Sequence, residues 1–512
     1  MGKFKDWYYQ QQSKDVLFYG FLIIYAAVLT YLCKIVPFWE DEFYTLNTTS
    51  YNISGVIHQS YDFEGQPPLY FILLKFWRLL NDSYPFARFL SIIFIGLAAF
   101  FFTKLLRLVT DNRGVRLLLI IFLLNPFTVW AALETRTYAL LILLSTISIY
   151  FFLSYYINNK NSHLYLFLIF CTIGLYTQYY FVFLIIALAF SIWVINGFRV
   201  FFKLCLYLIP VVLLFLPNLF FLWEHLTQQE TSNVNYSVID GLSKVLQSPP
   251  KMMLALNLAP FNNAIKLIII ILFILLAVYT YFKAYKQHAQ SDLNFEMYNV
   301  ILISAVVMVI IFSTVVVMTR VVYADRYMSI AYPCFIILFT LFLVHSSLYK
   351  NLIYGTIMIS FISLLVITYI HPMKFYDFKY VTKYIKKIER SGEPILFYRN
   401  VMALPFDYSY KGHNQLVPLP SPVRFDNTYL KNIKDTTELK QVIGAIKTKS
   451  NSYLLVSDDI ADFAYSVNFN RKMIDDYLNR HYNITLDTLC YGEGPDFYLR
   501  IRRLGIKSQN NY

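Results

Sequence analysis

The sequence predicts a polytopic α-helical membrane protein with about 11 transmembrane helices, followed by a C-terminal extracytoplasmic α/β domain. Of its 512 residues, 57% are hydrophobic and only 15% are charged, against roughly 25% charged in an average soluble protein. Long apolar stretches fill residues 1–371. Residues 1–371 contain 39 charged side chains and residues 372–512 contain 36, so charge density rises sharply in the last part. We therefore expect a transmembrane domain over 1–371 and a soluble domain over 372–512.

The apolar stretches are close to the length of about 20 residues that crosses a bilayer. Their cores are 16–35, 86–106, 116–133, 137–157, 164–179, 181–198, 204–223, 264–283, 298–319, 328–346 and 350–370. The segment 177–180 is interpreted either as a tight turn between two spans or as a kink in one long helix.

Basic residues predict the orientation. The net charge is 44 − 31 = +13, and no basic run resembles a nucleic-acid patch. With the N-terminus in the cytoplasm, the short inner loops include Lys104, Arg107 and Arg116 and are denser in Lys and Arg than the long outer loops,. An odd number of spans then puts residues 372–512 outside. We expect an integral protein of the bacterial inner (plasma) membrane with a periplasmic C-terminal domain.

Two predicted outer loops are long, 36–85 and 224–263. The first contains a proline pair followed by LYFILLKFWRLL, which predicts a helix with one aromatic and aliphatic side. That helix either lies in the membrane interface or is a short buried helix. The second loop contains Ser248-Pro249-Pro250, and its position is compatible with gating a cavity.

The C-terminal part is predicted to be α/β. GEPILFYR and SYLLVSD have the pattern of buried strands, and residues 498–501 that of a final strand,. FKYVTKYIKKIER, DTTELKQVIGAIKT and RKMIDDYLNRHY have helical patterns,. The domain has neither a GxGxxG nor a Walker motif, so a nucleotide site is not supported.

Three consecutive carboxylates follow the first apolar stretch, in Trp39-Glu40-Asp41-Glu42. Because like charges repel, at least one of them should have a raised pKa unless a cation lies close by. A carboxylate beside aromatic side chains at the membrane surface suits a general base that takes a proton from an alcohol. A solvated acidic loop is the alternative interpretation.

Three further constellations lie on the predicted outer side, with Arg88 at the start of the second span. They are Gln66-Pro67-Pro68-Leu69-Tyr70, Glu134-Thr135-Arg136-Thr137-Tyr138, and Arg320 with Tyr323-Ala324-Asp325-Arg326-Tyr327. Each has a purely structural alternative: a helix start, an ion pair closing a turn, or snorkelling arginines. Together, acids and arginines at one membrane face predict transfer of a group from a lipid phosphate to a hydroxyl.

The order of these motifs resembles the GT-C glycosyltransferases, and more narrowly the protein mannosyltransferase and aminoarabinose transferase group. The matching elements are an acidic pair after the first span, PPLYF, an Arg at the next span, ExRxY, and a late Arg-Tyr before a Pro-containing span. The resemblance covers residues 1–345. It implies a membrane enzyme that uses a polyprenyl-phosphate-linked sugar and inverts the anomeric carbon.

By position, the resemblance implies that Asp41, beside Glu42, is the general base and that Glu134 assists it or orients the acceptor. The residue before the prolines is usually His or Lys in relatives and is Gln66 here, which removes one phosphate-binding cation. The expected donor-phosphate ligands are Arg88, Arg136, Arg320, Arg326 and Tyr327. The expected walls of the substrate cavity are Trp39, Gln66, Pro67, Pro68, Tyr70 and Tyr138.

No cofactor is predicted firmly. Some GT-C enzymes need a divalent ion, but the resemblance to this subgroup implies none. Asp41, Glu42 and Glu134 nevertheless carry the oxygen ligands that a hard divalent cation takes. The five cysteines are scattered, without metal-ligand spacing,. The expected partners are the bilayer, a polyprenyl-phosphate-linked sugar, and an acceptor glycan, lipid or protein.

Two other functions stay open. An oligosaccharide polymerase or ligase would also use undecaprenyl-linked donors but would not need Asp41. A lipid or sugar transporter would need broken helices near mid-membrane, for which Asn125-Pro126 is the main candidate.

Overall fold

The structure, a computed structural model, describes residues 2–110, 114–228, 237–288, 293–319, 323–345, 350–374, 376–426, 433–458, 470–492 and 494–507. The chain divides into two compact units. The first comprises Met1–Ile35, Gln66–Glu224 and Tyr236–Ile370, and the second mainly Val36–Gly65 and His371–Tyr512. We call them the helical unit and the mixed unit.

The helical unit contains fourteen of the α-helices that the structure describes. They are α1 (Gly2–Ile35), α4 (Leu69–Arg78), α5 (Tyr84–Val109), α6 (Val115–Leu124), α7 (Pro126–Ala132), α8 (Tyr138–Asn158), α9 (Asn161–Leu175), α10 (Phe181–Asn196), α11 (Phe198–Gln228), α12 (Val238–Leu254), α13 (Asn263–His288), α14 (Leu293–Thr319), α15 (Tyr332–His345) and α16 (Lys350–Ile370). A 3-10 helix, Asp325–Ile330, precedes α15.

Within the described residues, seven helices are long and apolar enough to cross a membrane. Their spanning segments are Val16–Ile35, Tyr84–Val109, Tyr138–Asn158, Phe198–Phe221, Asn263–Phe282, Phe295–Thr319 and Leu352–Ile370. The prediction of a polytopic helical membrane protein is confirmed, but the count of eleven is not. The remaining stretches form helices of only 14 to 16 residues, as in α9, α10 and α15, or a broken pair.

The stretch 116–133, predicted as one span, consists of two helices bent by 61°. The break is at Asn125-Pro126, where proline removes a backbone donor and clashes with the preceding turn. Asn125 caps the second helix, since its Oδ1 accepts the N–H of Phe127 at 2.9 Å. Its Nδ2 donates to the carbonyl of Met252 at 3.1 Å, so the break is tied to the end of α12.

The segment 177–180 is a turn rather than a kink, because α9 ends at Leu175 and α10 begins at Phe181. Gly174 makes the close approach possible. A Cβ built there would lie 2.4 Å from the ring of Phe181, closer than any real contact.

The proline-initiated helix of the first outer loop is α4, as the sequence predicts. Tyr70, Phe71 and Leu74 are fully buried, whereas Phe76 on the same helix is about half exposed. Its first backbone N–H, on Leu69, donates to the carbonyl of Tyr176 at 3.2 Å. One face of α4 is thus built into the helical unit.

The mixed unit contains a five-stranded sheet and six α-helices in its described part. The helices are α2 (Glu40–Thr48), α3 (Ile53–Asp62), α17 (Phe378–Ile388), α18 (Ala403–Ser409), α19 (Thr436–Gly444) and α20 (Arg471–His481). The strands are β1 (Ile395–Tyr398), β2 (Leu416–Pro418), β3 (Ser452–Asp458), β4 (Tyr482–Gly492) and β5 (Gly494–Ile506).

The strand order is β2-β1-β3-β5-β4. Strands β2, β1 and β3 are parallel, and β5 runs antiparallel to both β3 and β4. The sequence predicted β1 and β3 and their neighbouring helices but missed β2 and β4. Side chains of β4 alternate between half-buried and exposed along most of its length, a weaker apolar signal than a buried strand provides.

Two helices of the first outer loop, α2 and α3, belong to the mixed unit. Tyr44 of α2 lies in the same hydrophobic core as Phe397 and Phe406 of the C-terminal segment. The rings of Tyr44, Phe63 and Phe425 meet edge-to-face, with centroids 5.3 to 6.3 Å apart. Loop residues therefore complete the core of the sheet-containing unit.

Candidate active site

The acidic segment starts helix α2. Trp39 is the N-cap residue, and its backbone N–H donates to Glu42 Oε2 at 3.4 Å. Glu40, Asp41 and Glu42 all lie in the first turn, where the positive end of the helix dipole favours negative charge. The local sequence therefore stabilises a row of carboxylates at the start of a helix.

Two charged residues of the sheet meet at its carboxyl edge. Arg399 follows β1 directly, and Asp458 is the last residue of β3. The register pairs Tyr398 with Ser457, so the next residue of each strand is adjacent to the other. Arg399 Nε lies 2.9 Å from Asp458 Oδ2. Because β2 and β3 lie on opposite sides of β1, this is the position where open α/β sheets form their binding crevice.

Glu40 of α2 reaches this crevice. Its Oε1 lies 3.4 Å from Arg399 Nη2, so one guanidinium contacts two carboxylates from different segments. Tyr376 completes the group, with its hydroxyl donating to Asp458 Oδ2 at 3.1 Å. We call Glu40, Tyr376, Arg399 and Asp458 the crevice network.

Burial dominates the electrostatics of the crevice network. Burial raises the pKa of Glu40 above its ordinary value, and Arg399 opposes part of that effect. Burial likewise raises the pKa of Asp458, with Arg399 and Tyr376 acting in the other direction. For Arg399, burial lowers the pKa, but Glu40 and Asp458 outweigh it and the net pKa is raised. The guanidinium therefore stays charged.

The third acid has its own cation. Glu42 is fully buried, and its Oε2 accepts from Lys374 Nζ at 2.9 Å. The Lys374 side chain is only 11% exposed. Burial of a lone carboxylate costs several kcal/mol, and the ion pair with Lys374 offsets that cost for Glu42.

Asp41 lies between these two neutralised acids and is half-buried. The sequence left open whether a cation approaches the acidic row, and the structure supplies two, one for each neighbour of Asp41. The sequence patterns did not predict roles for Lys374, Tyr376, Arg399 and Asp458. The available signal was the position of Arg399 and Asp458 directly at the ends of two predicted buried strands.

In the helical unit, helix α5 carries Arg88 and also contacts the Glu134 segment. Arg88 is fully buried on α5, and its Nη1 donates to the carbonyl of Cys33 at 3.4 Å. Ser91, one turn further along the same helix, donates to the carbonyl of Glu134 at 2.6 Å. Helix α5 thus positions both a predicted phosphate ligand and the turn that holds the predicted second acid.

The turn from Glu134 to Tyr138 is buried along its whole length, including Arg136 at 8% exposure. The ring of Tyr138 stacks on Trp130 with centroids 4.9 Å apart. Buried charged groups are retained in membrane proteins where they serve a site or an ion pair. The other predicted wall residues here are Gln66, half-buried, and Pro67, Pro68 and Tyr70, which are buried.

The late Arg-Tyr pair, Arg326 and Tyr327, lies in a segment held by several side-chain contacts. Arg326 lies over the ring of Tyr327 at 5.9 Å, and Tyr327 contacts the ring of Tyr180. The neighbouring Asp325 accepts hydrogen bonds from Ser248 and, at 2.8 Å, from Asn257. Residues 248–257 are thus held against this segment. Arg320 lies outside the described residues.

The described residues contain no group of three or more His, Cys, Asp or Glu side chains placed to hold a metal ion. Glu40 and Glu42 face Arg399 and Lys374 instead.

Comparison with solved structures identifies the fold. Two crystal structures of ArnT, an aminoarabinose transferase, from Cupriavidus metallidurans match 94% of this chain and 98% of theirs, at 10% identity. The TM-score is 0.53 for the apo state and 0.57 for the complex with undecaprenyl phosphate. The chain has the GT-C fold. The resemblance predicted from the motif order is confirmed at this level, and it extends over both units.

The Archaeoglobus fulgidus oligosaccharyltransferase, in complex with zinc and sulfate, matches 77% of this chain and 59% of its own at 14% identity, with a TM-score of 0.44. No protein-family model and no curated protein matches the sequence.

Proposed function

We propose that this protein is a membrane glycosyltransferase that moves a sugar from a polyprenyl-phosphate donor to an acceptor hydroxyl. The observation that carries the proposal is the likeness of fold to ArnT over 94% of the chain. The ArnT structure in that comparison is a complex with undecaprenyl phosphate. The motif order of the sequence independently supports the same donor class. The active site faces the periplasm in this proposal, with the N-terminus in the cytoplasm and residues 372–512 extracytoplasmic.

Asp41 is the proposed general base. It lies in the first turn of α2 between Glu40 and Glu42, which pair with Arg399 and Lys374. Asp41 would take the proton of the acceptor hydroxyl as that oxygen attacks the anomeric carbon. The carbon–oxygen bond to the phosphate breaks in the same step, with inversion, and polyprenyl phosphate leaves.

The leaving phosphate needs a positive partner. Arg88, Arg136, Arg320, Arg326 and Tyr327 are the proposed candidates. Arginine suits the role because it binds phosphate through two parallel hydrogen bonds. Glu134 is proposed to assist the base or to orient the acceptor.

The test is a sugar-transfer assay on the purified protein in lipid, with polyprenyl-phosphate sugars as donors and release of polyprenyl phosphate as the readout. Asp41→Asn should lower transfer by at least about a hundredfold, the contribution typical of a general base. The matched control is Asp62→Asn. Asp62 lies in the same loop but is exposed and pairs only weakly at the surface with His58,, so this change should leave transfer intact.

Equal loss in both variants would indicate a folding defect, which thermal unfolding measures directly. Release by the native protein that persists in D41N would contradict the assignment of the base and favour an oligosaccharide polymerase or ligase. No release from any donor, in a stable protein that still acts in cells, would favour a transporter. The broken helix at Asn125 does not by itself support transport, because the Asn125 amide is used in the contacts with Phe127 and Met252.

A further inference from the structure

A second feature of the helical unit is a long groove between α1, α5 and α6, unrelated to the residues assigned above. Its volume is about 1000 Å³. Apolar side chains line most of it, among them Tyr25, Ile92 and Leu123 at one end and Phe18 at the other. Several lining residues are largely exposed, including Tyr19 and Phe100, so the groove is open at the protein surface.

The groove is long enough for an acyl chain. Ile92 and Arg107 both line it and are separated along α5 by about 22 Å at 1.5 Å per residue,. One leaflet of the hydrocarbon core is about 15 Å thick. The lining therefore follows the bilayer over more than one leaflet.

Two arginines lie at one end of the groove. Arg107, in the last turn of α5, and Arg116, in the first turn of α6, both line the groove and are exposed. The guanidinium of Arg116 lies 5.7 Å from the ring of Phe18 on α1. This end is opposite, along α5, to the end where Ser91 meets Glu134, and it is the face proposed above as cytoplasmic.

We propose that the groove is a binding site for an anionic glycerophospholipid of the inner leaflet. Two guanidiniums at the mouth of an apolar groove match a phosphate headgroup followed by acyl chains. Snorkelling explains why each arginine is at a helix end, but not why both line the same apolar groove. The phosphate of a donor for the proposed sugar transfer would lie at the other face, so this site is separate from the proposed active site.

Inside the groove, Gly96 leaves the space for the chain. It lines the groove, and a Cβ built on it would meet no atom within 4 Å. A larger side chain fits there without disturbing α5, and it would occupy the volume that the lipid needs. Gly20 on α1 has equally open surroundings and is not among the residues that line the groove.

The first experiment measures lipid binding to the purified full-length protein by native mass spectrometry, with phosphatidylglycerol and phosphatidylcholine as probes. The native protein should bind phosphatidylglycerol more tightly. Arg107→Gln with Arg116→Gln should weaken that binding by about thirtyfold, since each basic residue near an anionic lipid contributes roughly a factor of five. The control is Lys160→Gln with Arg199→Gln, which removes two exposed charges from the same predicted face outside the groove.

The second experiment tests the apolar part. Gly96→Leu should reduce binding of both lipids, while Gly20→Leu should leave it unchanged. Equal affinity of the native protein for the two lipids would overturn the proposal, as would undiminished phosphatidylglycerol binding in the double arginine variant. Co-purified polyprenyl phosphate that G96L releases would also overturn it, because the groove would then hold the donor lipid. These outcomes do not depend on whether sugar transfer occurs.

Discussion

The most informative residues are the cations that meet the acidic start of α2. Lys374 and Arg399 come from the C-terminal segment and contact Glu42 and Glu40. A buried ion pair rarely adds much stability over an apolar pair of the same size, but removing one partner leaves a costly unpaired charge. Substitutions of single partners should therefore have far larger effects than substitutions of both.

Lys374→Met should destabilise the protein by about 3 kcal/mol, because Glu42 would be left buried without its cation. Glu42 is fully buried and Lys374 nearly so, so solvent screens this pair little. The measurement is the free energy of unfolding in detergent. The double variant Glu42→Gln with Lys374→Met should recover most of the loss, since the amide keeps an acceptor for the N–H of Trp39. A double variant as unstable as the single one would show that the loss is one of packing.

The pH dependence of stability should have opposite signs at two aspartates of the mixed unit. Burial raises the pKa of Asp458. The stability that Asp458 contributes is therefore fully present below the ordinary pKa of an aspartate, and it is lost as the pH rises through the pKa of Asp458 in the folded protein. A hydrogen bond from Arg500, which lies 2.6 Å from Asp487, lowers the pKa of Asp487. The stability that Asp487 contributes is present above the ordinary pKa of an aspartate, and it is lost as the pH falls through the pKa of Asp487 in the folded protein.

The measurement is the unfolding free energy of Asp458→Asn and Asp487→Asn relative to the native protein from about pH 3 to 7. The advantage of the native protein over D458N should shrink as pH rises, and its advantage over D487N should shrink as pH falls. The slope is the readout, because each substitution also has an effect that does not vary with pH. Slopes of the same sign would contradict the electrostatic account.

At the scale of elements, the close approach between the end of α9 and the start of α10 depends on one glycine. Gly174 is buried against the fully buried ring of Phe181. Any side chain at 174 forces either the ring or the helix to move, and overpacking of this kind typically costs 1–3 kcal/mol.

Gly174→Ala should therefore lower the unfolding free energy by about 2 kcal/mol. Gly355→Ala in α16 is the matched control, because a Cβ there would meet no atom within 4 Å. That change should be neutral or slightly stabilising, as alanine favours a helix by up to about 1 kcal/mol over glycine. Equal effects at both positions would mean that the contact with Phe181 does not limit the packing.

The bend between α6 and α7 interrupts a single apolar stretch. Hydropathy treats 116–133 as one span, whereas the backbone turns by 61° at Asn125-Pro126. A break inside a membrane protein must have its backbone and side-chain polar groups satisfied. Asn125 meets that need by capping α7 and donating to Met252.

At the scale of the whole molecule, residues 36–65 and the C-terminal segment form one compact unit. Tyr44, Phe397 and Phe406 share its core. The segment 36–65 therefore has no complete core of its own when residues 371–512 are removed.

A chain ending at residue 370 should thus expose 36–65 to proteolysis. Limited digestion of the full chain should spare this segment, whereas the shortened protein should be cut within it at least about ten times faster, because segments with few buried contacts open readily. The proposed sugar transfer should be lost as well, although Asp41 is still present. Equal protection in both proteins would show that 36–65 folds independently.

Much of the organisation follows from the composition and the local patterns of the sequence. Apolar stretches of spanning length predicted the helical unit, and buried-strand patterns predicted β1, β3 and their helices. Helix α4 followed from its proline start. The motif order predicted the GT-C fold, and Asp41, Glu42 and Trp39 are placed together at the start of α2 because they are neighbours in the chain. The role of Asp41 stays a prediction.

The sequence by itself determined the class of the protein, because transfer of apolar side chains out of water depends on composition and period, which are local properties. Tertiary structure alone decided which cations meet the acids. Lys374 and Arg399 lie more than 300 residues from Glu42 and Glu40, and no local pattern encodes such pairs. It also decided the membership of 36–65 in the mixed unit. Both depend on how distant segments pack and pair their charges.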